Sequence, residues 1–184
     1  MPRRCRRNLM RTFAGFILLA AGSLDPVLAA SPDAPHITEP RNAATGFAIT
    51  LWMTQVDALG QHCARLGEPA RLEFAPVLEA WQHRNAPYVN AALEYLADIE
   101  DYISATRGEA ARKEFRAARS AEFAGATRES EAVWFPDGRI DEESCRRLAN
   151  QMASGSLDLD RNAEFFPILQ GLSAEAGRKA TPVR

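Results

Sequence analysis

Cysteine and histidine are both scarce in this chain of 184 residues, with three of each. Cys-x-x-Cys-His does not occur, which excludes covalent haem attachment. No histidine follows His83, so a bundle haem with a ligand near the C-terminus has no support. Glu-x-x-His, which ferritin-like carboxylate sites use twice, is missing. So are the Gly-x-Ser-x-Gly elbow of a hydrolase and a glycine-rich phosphate loop. Beyond residue 29 no useful stretch alternates apolar and polar residues with period two, so strands have no pattern to form from. Internal repeats and low-complexity tracts are absent as well. The longest apolar run, Phe13 to Leu24, is too short to span a bilayer easily.

What is present begins with an address. Arg3, Arg4, Arg6, Arg7 and Arg11 precede that apolar run, and Val27-Leu28-Ala29 follows it. A basic region, a short apolar region and a small-x-small site make residues 1–29 an export signal, cleaved after Ala29 or Ala30. An uncleaved anchor is the alternative. Arg6-Arg7-Asn8-Leu9-Met10 has the look of a twin-arginine signal, but Cys5 stands where Ser or Thr is usual, which favours the general secretory route. Cys5 precedes the apolar run and so cannot be a lipoprotein cysteine. The expected location is the periplasm, without a stable membrane anchor.

Removing the signal takes five Arg and one Asp from 22 basic and 24 acidic residues, leaving 17 against 23 and a net charge of −6. A mildly acidic domain has no electrostatic case for nucleic acid or anionic lipid. The remaining residues, about 155, suffice for one domain with its own core. Residues 30–42 read as a linker, because Pro32, Pro35 and Pro40 discourage helix and strand alike. His36 falls in it and is expected to be solvated.

From Ala43 the texture is helical. Trp52, Val56, Leu59, Cys63 and Leu66 recur at spacings of four and three, and Gly67 with Pro69 marks the stop. A second helix is expected over Glu73–Asn85, with Phe74, Val77, Leu78 and Trp81 inward. Pro87 opens a third, whose stripe is Tyr88, Ala92, Leu96, Ile99 and Ile103. Thr106-Arg107-Gly108-Glu109 has the form of a capping box and predicts a break before a fourth helix. Folding back at Gly108 would set Glu94, Asp98 and Asp101 against Arg112, Arg116 and Arg119. A helix running straight through Gly108 would abolish that pairing. The fourth helix is Ala-rich, suits the edge of a bundle, and is expected to fray near Gly125 to Ser130. Trp134-Phe135-Pro136-Asp137-Gly138 reads as an aromatic turn. Asp141 begins a fifth helix through Cys145, Leu148 and Met152 to Gly155. A last apolar segment runs from Leu157 to Leu172, and residues 174–184 read as a disordered tail. The class is all-α: a compact up-and-down bundle of five or six helices over residues 43–173.

Cys63 and Cys145 each lie on an apolar face, in a chain addressed to an oxidising compartment. A Cys63–Cys145 disulfide is therefore expected, two buried free thiols being the alternative. A redox-active pair is disfavoured, since Cys-x-x-Cys and a cluster of activating bases are both missing.

Trp81-Gln82-His83-Arg84-Asn85 concentrates the remaining chemistry. Trp81 carries one N–H on a large apolar body, and Arg84 and Asn85 bring a guanidinium fork and an amide one turn away. Such a group packs and caps a helix junction more readily than it binds a ligand. Glu79 and His83 share a helix face and suit a solvent-facing ion pair better than a metal. His62 belongs at the edge of the buried stripe. Glu73 and Glu79 flank Phe74 and Trp81, an arrangement that would suit a raised carboxyl pKa in an enzyme acting on cell-wall material. No catalytic, cofactor or metal-binding residue is assigned. Trp81, Arg84, Asn85, Trp134 and Phe135 are the candidate structural or interaction residues.

Cys63, Trp81-x-x-Arg84-Asn85, Cys145 and Ser156-Leu157-Asp158-Leu159 together resemble a pattern found in exported helical proteins of proteobacteria, over much of residues 45–172. The resemblance implies a helical fold and no activity. A looser likeness, in size, compartment and class only, is to periplasmic immunity proteins that block secreted cell-wall-degrading effectors. The functional expectation is a non-enzymatic periplasmic binding module with a protein partner. An inhibitor of a secreted effector and a cell-wall enzyme using Glu73, Glu79 or His83 are the alternatives.

Overall fold

Five α-helices and the short turns between them make up the computed structural model, which describes residues 36–180; no strand occurs among the described residues. The export signal expected at 1–29 lies outside them.

Helix α1 spans Glu39–Gln55 and starts earlier than the proline content suggests. Thr38 caps it, its hydroxyl accepting from the Arg41 N–H at 3.4 Å, and Pro40 sits in the first turn. A proline there gives up an N–H that has no helical partner anyway. The linker therefore ends before residue 39. The rod then changes winding without breaking. Val56–His62 is π-helical and Cys63–Leu66 is 3₁₀. This change turns the buried face to Ala58, Leu59 and Cys63 and leaves Leu66, which the even spacing had placed inside, 39% exposed.

Helix α2 is a single rod of 40 residues, Glu68–Arg107, where two helices meeting at Pro87 were expected. Both internal prolines, Pro76 and Pro87, are exposed, as are Leu72 and His83, whose carbonyls lose their i+4 donors. Both prolines thus lie on the exposed side of the helix, where water can replace a missing donor. The inward stripe runs unbroken through Phe74, Trp81, Asn85, Val89, Ala92, Tyr95 and Ile99, and that packing carries the helix across both prolines.

Gly108 does break the chain, with φ at +85°, in the left-handed half of backbone space that favours glycine. Helix α3 follows over Glu109–Trp134 and buries only Phe123, Thr127, Ser130 and Trp134, as an edge helix should. It does not fray at Gly125. Fold-back brings Arg112 to Glu100 and Asp101 at 3.8 and 3.9 Å, and pairs Arg116 with Glu100. Glu94 and Asp98 pair instead with Lys179 of the last helix. Helix α4 (Glu142–Ala153) is capped by Asp141, whose carboxylate accepts from the Ser144 N–H at 2.7 Å. That bond holds the Asp141 carboxyl below the usual range. Helix α5 covers Phe166–Ala180, so most of the expected tail is ordered helix. Arg41 makes a two-point pair to its Glu175, at 2.6 and 3.0 Å.

Two apolar clusters share α2 as their common wall. Its C-terminal half packs with α1, α3 and α5 around Ile49, Val89, Ile99, Phe123, Leu159 and Leu169. Its N-terminal half packs with the π segment, α4 and the end of α3 around Leu59, Phe74, Trp81, Trp134, Phe135, Leu148 and Met152. The Cys63–Cys145 disulfide lies within this second cluster, with Cα atoms 5.8 Å apart, and closes a separation of 82 residues. Chain-entropy reasoning gives such a crosslink about 4.5 kcal/mol.

Candidate functional site

Trp81, Arg84 and Asn85 stand at i, i+3 and i+4 and so project from one face of α2. All three reach the same peptide, the segment from Met152 to Leu159. Trp81 is fully buried and its Nε1–H donates to the Leu157 carbonyl at 3.2 Å. Arg84 donates from Nε and Nη2 to the two oxygens of Asp158, at 2.9 and 3.1 Å, and from Nη2 to the Met152 carbonyl at 2.7 Å. Asn85, 2% exposed, donates to the Trp81 carbonyl and to Asp158 Oδ1, and its own Oδ1 accepts from the Leu159 N–H at 2.8 Å. The bond to Asp158 raises the Arg84 pKa. Gly155, at φ +71°, completes the clamp, since a Cβ there would meet Asp158 Oδ2 at 3.0 Å. The motif thus ties off the C-terminal turn of α4 and the loop that follows. Its bonds go to the protein's own backbone and to the Asp158 carboxylate, and the capped junction is that of α4 rather than one at Pro87.

Trp134 and Phe135 are each 6% exposed and belong to the second apolar cluster. They close the core and offer no apolar face to a partner. Glu73, Glu79 and His83 are all exposed on α2; Glu73 faces Arg146 at 3.5 Å, and no ion pair joins Glu79 to His83. No hydrogen bond or ion pair joins any two of these three groups.

A different constellation forms at the bundle end that carries the disulfide. In a π-helix the hydrogen bond runs from i to i+5, so residues five apart are stacked one turn apart. Asp57 and His62 have this spacing within Val56–His62 and lie on one face. Opposite them stands Glu131, in the last turn of α3, whose carbonyl accepts from the Phe135 N–H at 2.9 Å. His62 Nε2 is 3.6 Å from Asp57 Oδ2 and 3.8 Å from Glu131 Oε1. One ligand atom from each of the three residues falls within 4.8 Å of the other two. Both histidine distances are too long for hydrogen bonds.

The corner is half open: the side chains of Asp57, His62 and Glu131 are 34%, 24% and 15% exposed. The His62 ring lies nearly parallel to Phe135, 14° between planes and 6.3 Å between centroids. Its neighbour Cys63 is bonded to Cys145, which fixes the backbone on that side. Glu131 Oε1 is buried and accepts no hydrogen bond. Burial pushes the Glu131 carboxyl above the usual range; His62 opposes this, and the nearby Asp57 carboxylate adds to it.

Sequence reasoning placed His62 at the core edge and passed over Asp57 and Glu131. An i, i+5 pair belongs to no α-helical template, and Glu131 is brought in only by tertiary packing. Compared with protein-family models, with curated proteins and with solved structures, the chain matches none. Among the described residues no helix is long and apolar enough to cross a membrane.

Proposed function

We propose that this protein is an exported, periplasmic binding module without catalytic activity of its own, and that it engages its target at the corner of Asp57, His62 and Glu131. The observation that carries this reading is the buried Oε1 of Glu131, which accepts no hydrogen bond and has only the distant His62 imidazole beside it, in a half-open corner. A carboxylate oxygen withdrawn from water without a donor leaves part of its desolvation cost standing. An arriving cation or donor group would recover it. The disulfide supports an oxidising compartment, and the basic and apolar leader supports export. A secreted effector that degrades cell wall is one kind of target compatible with this reading.

The test is capture from the native cell envelope with the C-terminally tagged full chain, beside the same chain carrying Glu131→Gln. The expected result is a stoichiometric target retained by the parent and lost from the variant at unchanged thermal stability. Equal capture by both chains, or no target for the parent, overturns the reading.

A further inference from the structure

We propose that Asp57, His62 and Glu131 form a three-ligand site for a divalent first-row transition metal ion, best suited to Zn²⁺, with one coordination position left for an outside donor. The inference rests on the reading that this corner is the binding locus and names its ligand.

Geometry carries it first. Zinc bonds of about 2.0–2.2 Å at tetrahedral angles set ligand atoms about 3.3–3.6 Å apart. The two distances from His62 Nε2 are 3.6 and 3.8 Å. These exceed a hydrogen bond and need only a few tenths of an ångström of contraction around an ion.

The donor set decides the metal class. One imidazole with two carboxylates suits zinc and its transition-metal neighbours, whereas Ca²⁺ takes six to eight oxygens and Mg²⁺ keeps an oxygen octahedron. Two carboxylates also balance the charge of a divalent ion.

Preorganisation is the third, independent observation. Glu131 Oε1 is already desolvated and accepts no hydrogen bond, facing the other two groups. The disulfide at Cys63 holds the residue beside His62, and Phe135 lies against the ring. Three protein ligands leave a fourth position, the arrangement by which a bound metal takes water or a donor from another molecule. The partial exposure of all three side chains puts that position on the solvent side.

The experiment is titration of the chelator-treated, disulfide-intact full chain with Zn²⁺ and with Co²⁺, using Ca²⁺ as the control ion. Calorimetry reads the affinity, and visible absorption reads the coordination of Co²⁺. One equivalent of Zn²⁺ is expected to bind at micromolar concentration or below, Co²⁺ to give the intense bands of a four-coordinate site, and Ca²⁺ not to bind. His62→Gln, Glu131→Gln and Asp57→Asn are each expected to weaken Zn²⁺ at least tenfold, and His83→Gln to leave it unchanged. Should a variant fail to fold, the parent chain still decides, because Zn²⁺ must shift the imidazole NMR signals of His62 and not those of His83. Absence of saturable one-to-one binding, unchanged affinity in His62→Gln, or a shift at His83 instead overturns the site. A chain that binds no metal yet captures its target through Glu131 loses this inference and keeps the proposed function. Metal binding without a captured target does the reverse.

Discussion

Replacing Asn85 by Asp changes one NH₂ group to an oxygen and almost nothing in volume, so packing cannot account for its effect. Asn85 is 2% exposed, and its Nδ2 donates to the Trp81 carbonyl at 2.9 Å and to Asp158 Oδ1 at 3.1 Å. Ionised, the new side chain has no donor and loses both bonds; protonated, its one O–H can keep a single bond, so about 1 kcal/mol is lost there. An ionised Asp at 85 would also face Asp158 in a buried setting, so the new carboxyl is predicted to keep its proton when folded. Against an unfolded pKa of about 3.9, holding that proton at pH 7 costs up to about 4 kcal/mol. Arg84, bonded to the same Asp158, reduces this by stabilising a second negative charge. The loss at pH 7 is therefore expected to lie between about 2 and 4 kcal/mol. Its sign with pH follows from the raised folded pKa: the proton-holding penalty is absent below the unfolded pKa and grows as pH rises toward the folded one. Urea unfolding of parent and variant, followed by far-UV circular dichroism with the disulfide intact, measures it. With a slope of about 2 kcal/mol per molar, the midpoint should fall by about 1–2 M at pH 7 and by less at pH 4. A loss under about 0.5 kcal/mol, or one that does not change between these pH values, would refute the clamp as the organiser of the loop.

Removing the crosslink with Cys63→Ala and Cys145→Ala together should lower stability by about 4.5 kcal/mol in the chain-entropy estimate, before any packing loss; calorimetry of the double variant checks it, and a melting temperature unchanged from the oxidised parent contradicts it. Pro87→Ala restores a donor to the exposed His83 carbonyl and should stabilise the chain by about 1–2 kcal/mol after the loss of proline's unfolded-state rigidity; a lower urea midpoint would mean that Pro87 sets a bend the packing needs. Asp141, whose folded pKa is lowered by its bond to the Ser144 N–H, contributes stability above its unfolded pKa that is lost as pH falls through the lower folded value. Asp141→Asn should therefore be less stable than the parent at pH 7 and equal to it near pH 2, as read from paired thermal melts.

The amino-acid sequence by itself determined the class, the start of α4 and the staple, and at Gly108 it left a break and a straight run both open. Apolar residues at spacings of three and four, with no period-two stretch, admit only helices that bury one face. Gly108 ends α2 because its backbone is left-handed, and Asp141 starts α4 because its carboxylate reaches a free N–H. Cys63 and Cys145 were each legible as inward on their helices, so their pairing followed. The unbroken α2 was not legible, because a proline's local cost is visible in the sequence while the continuous packing that overrides it is not. Likewise α5 extends beyond Leu172 through the pairs of Glu175 with Arg41 and of Lys179 with Asp98, partners far away along the chain. The sequence could mark Trp81, Arg84 and Asn85 as one face but could not say that Met152–Leu159 would lie across it. The corner of Asp57, His62 and Glu131 belongs wholly to tertiary structure. It needs a π-helical turn, whose winding no α-helical periodicity announces, and the end of α3 carried to it from 69 residues beyond His62. Periodicity records what each helix does with its own neighbours, whereas a site is made by groups that only packing brings together.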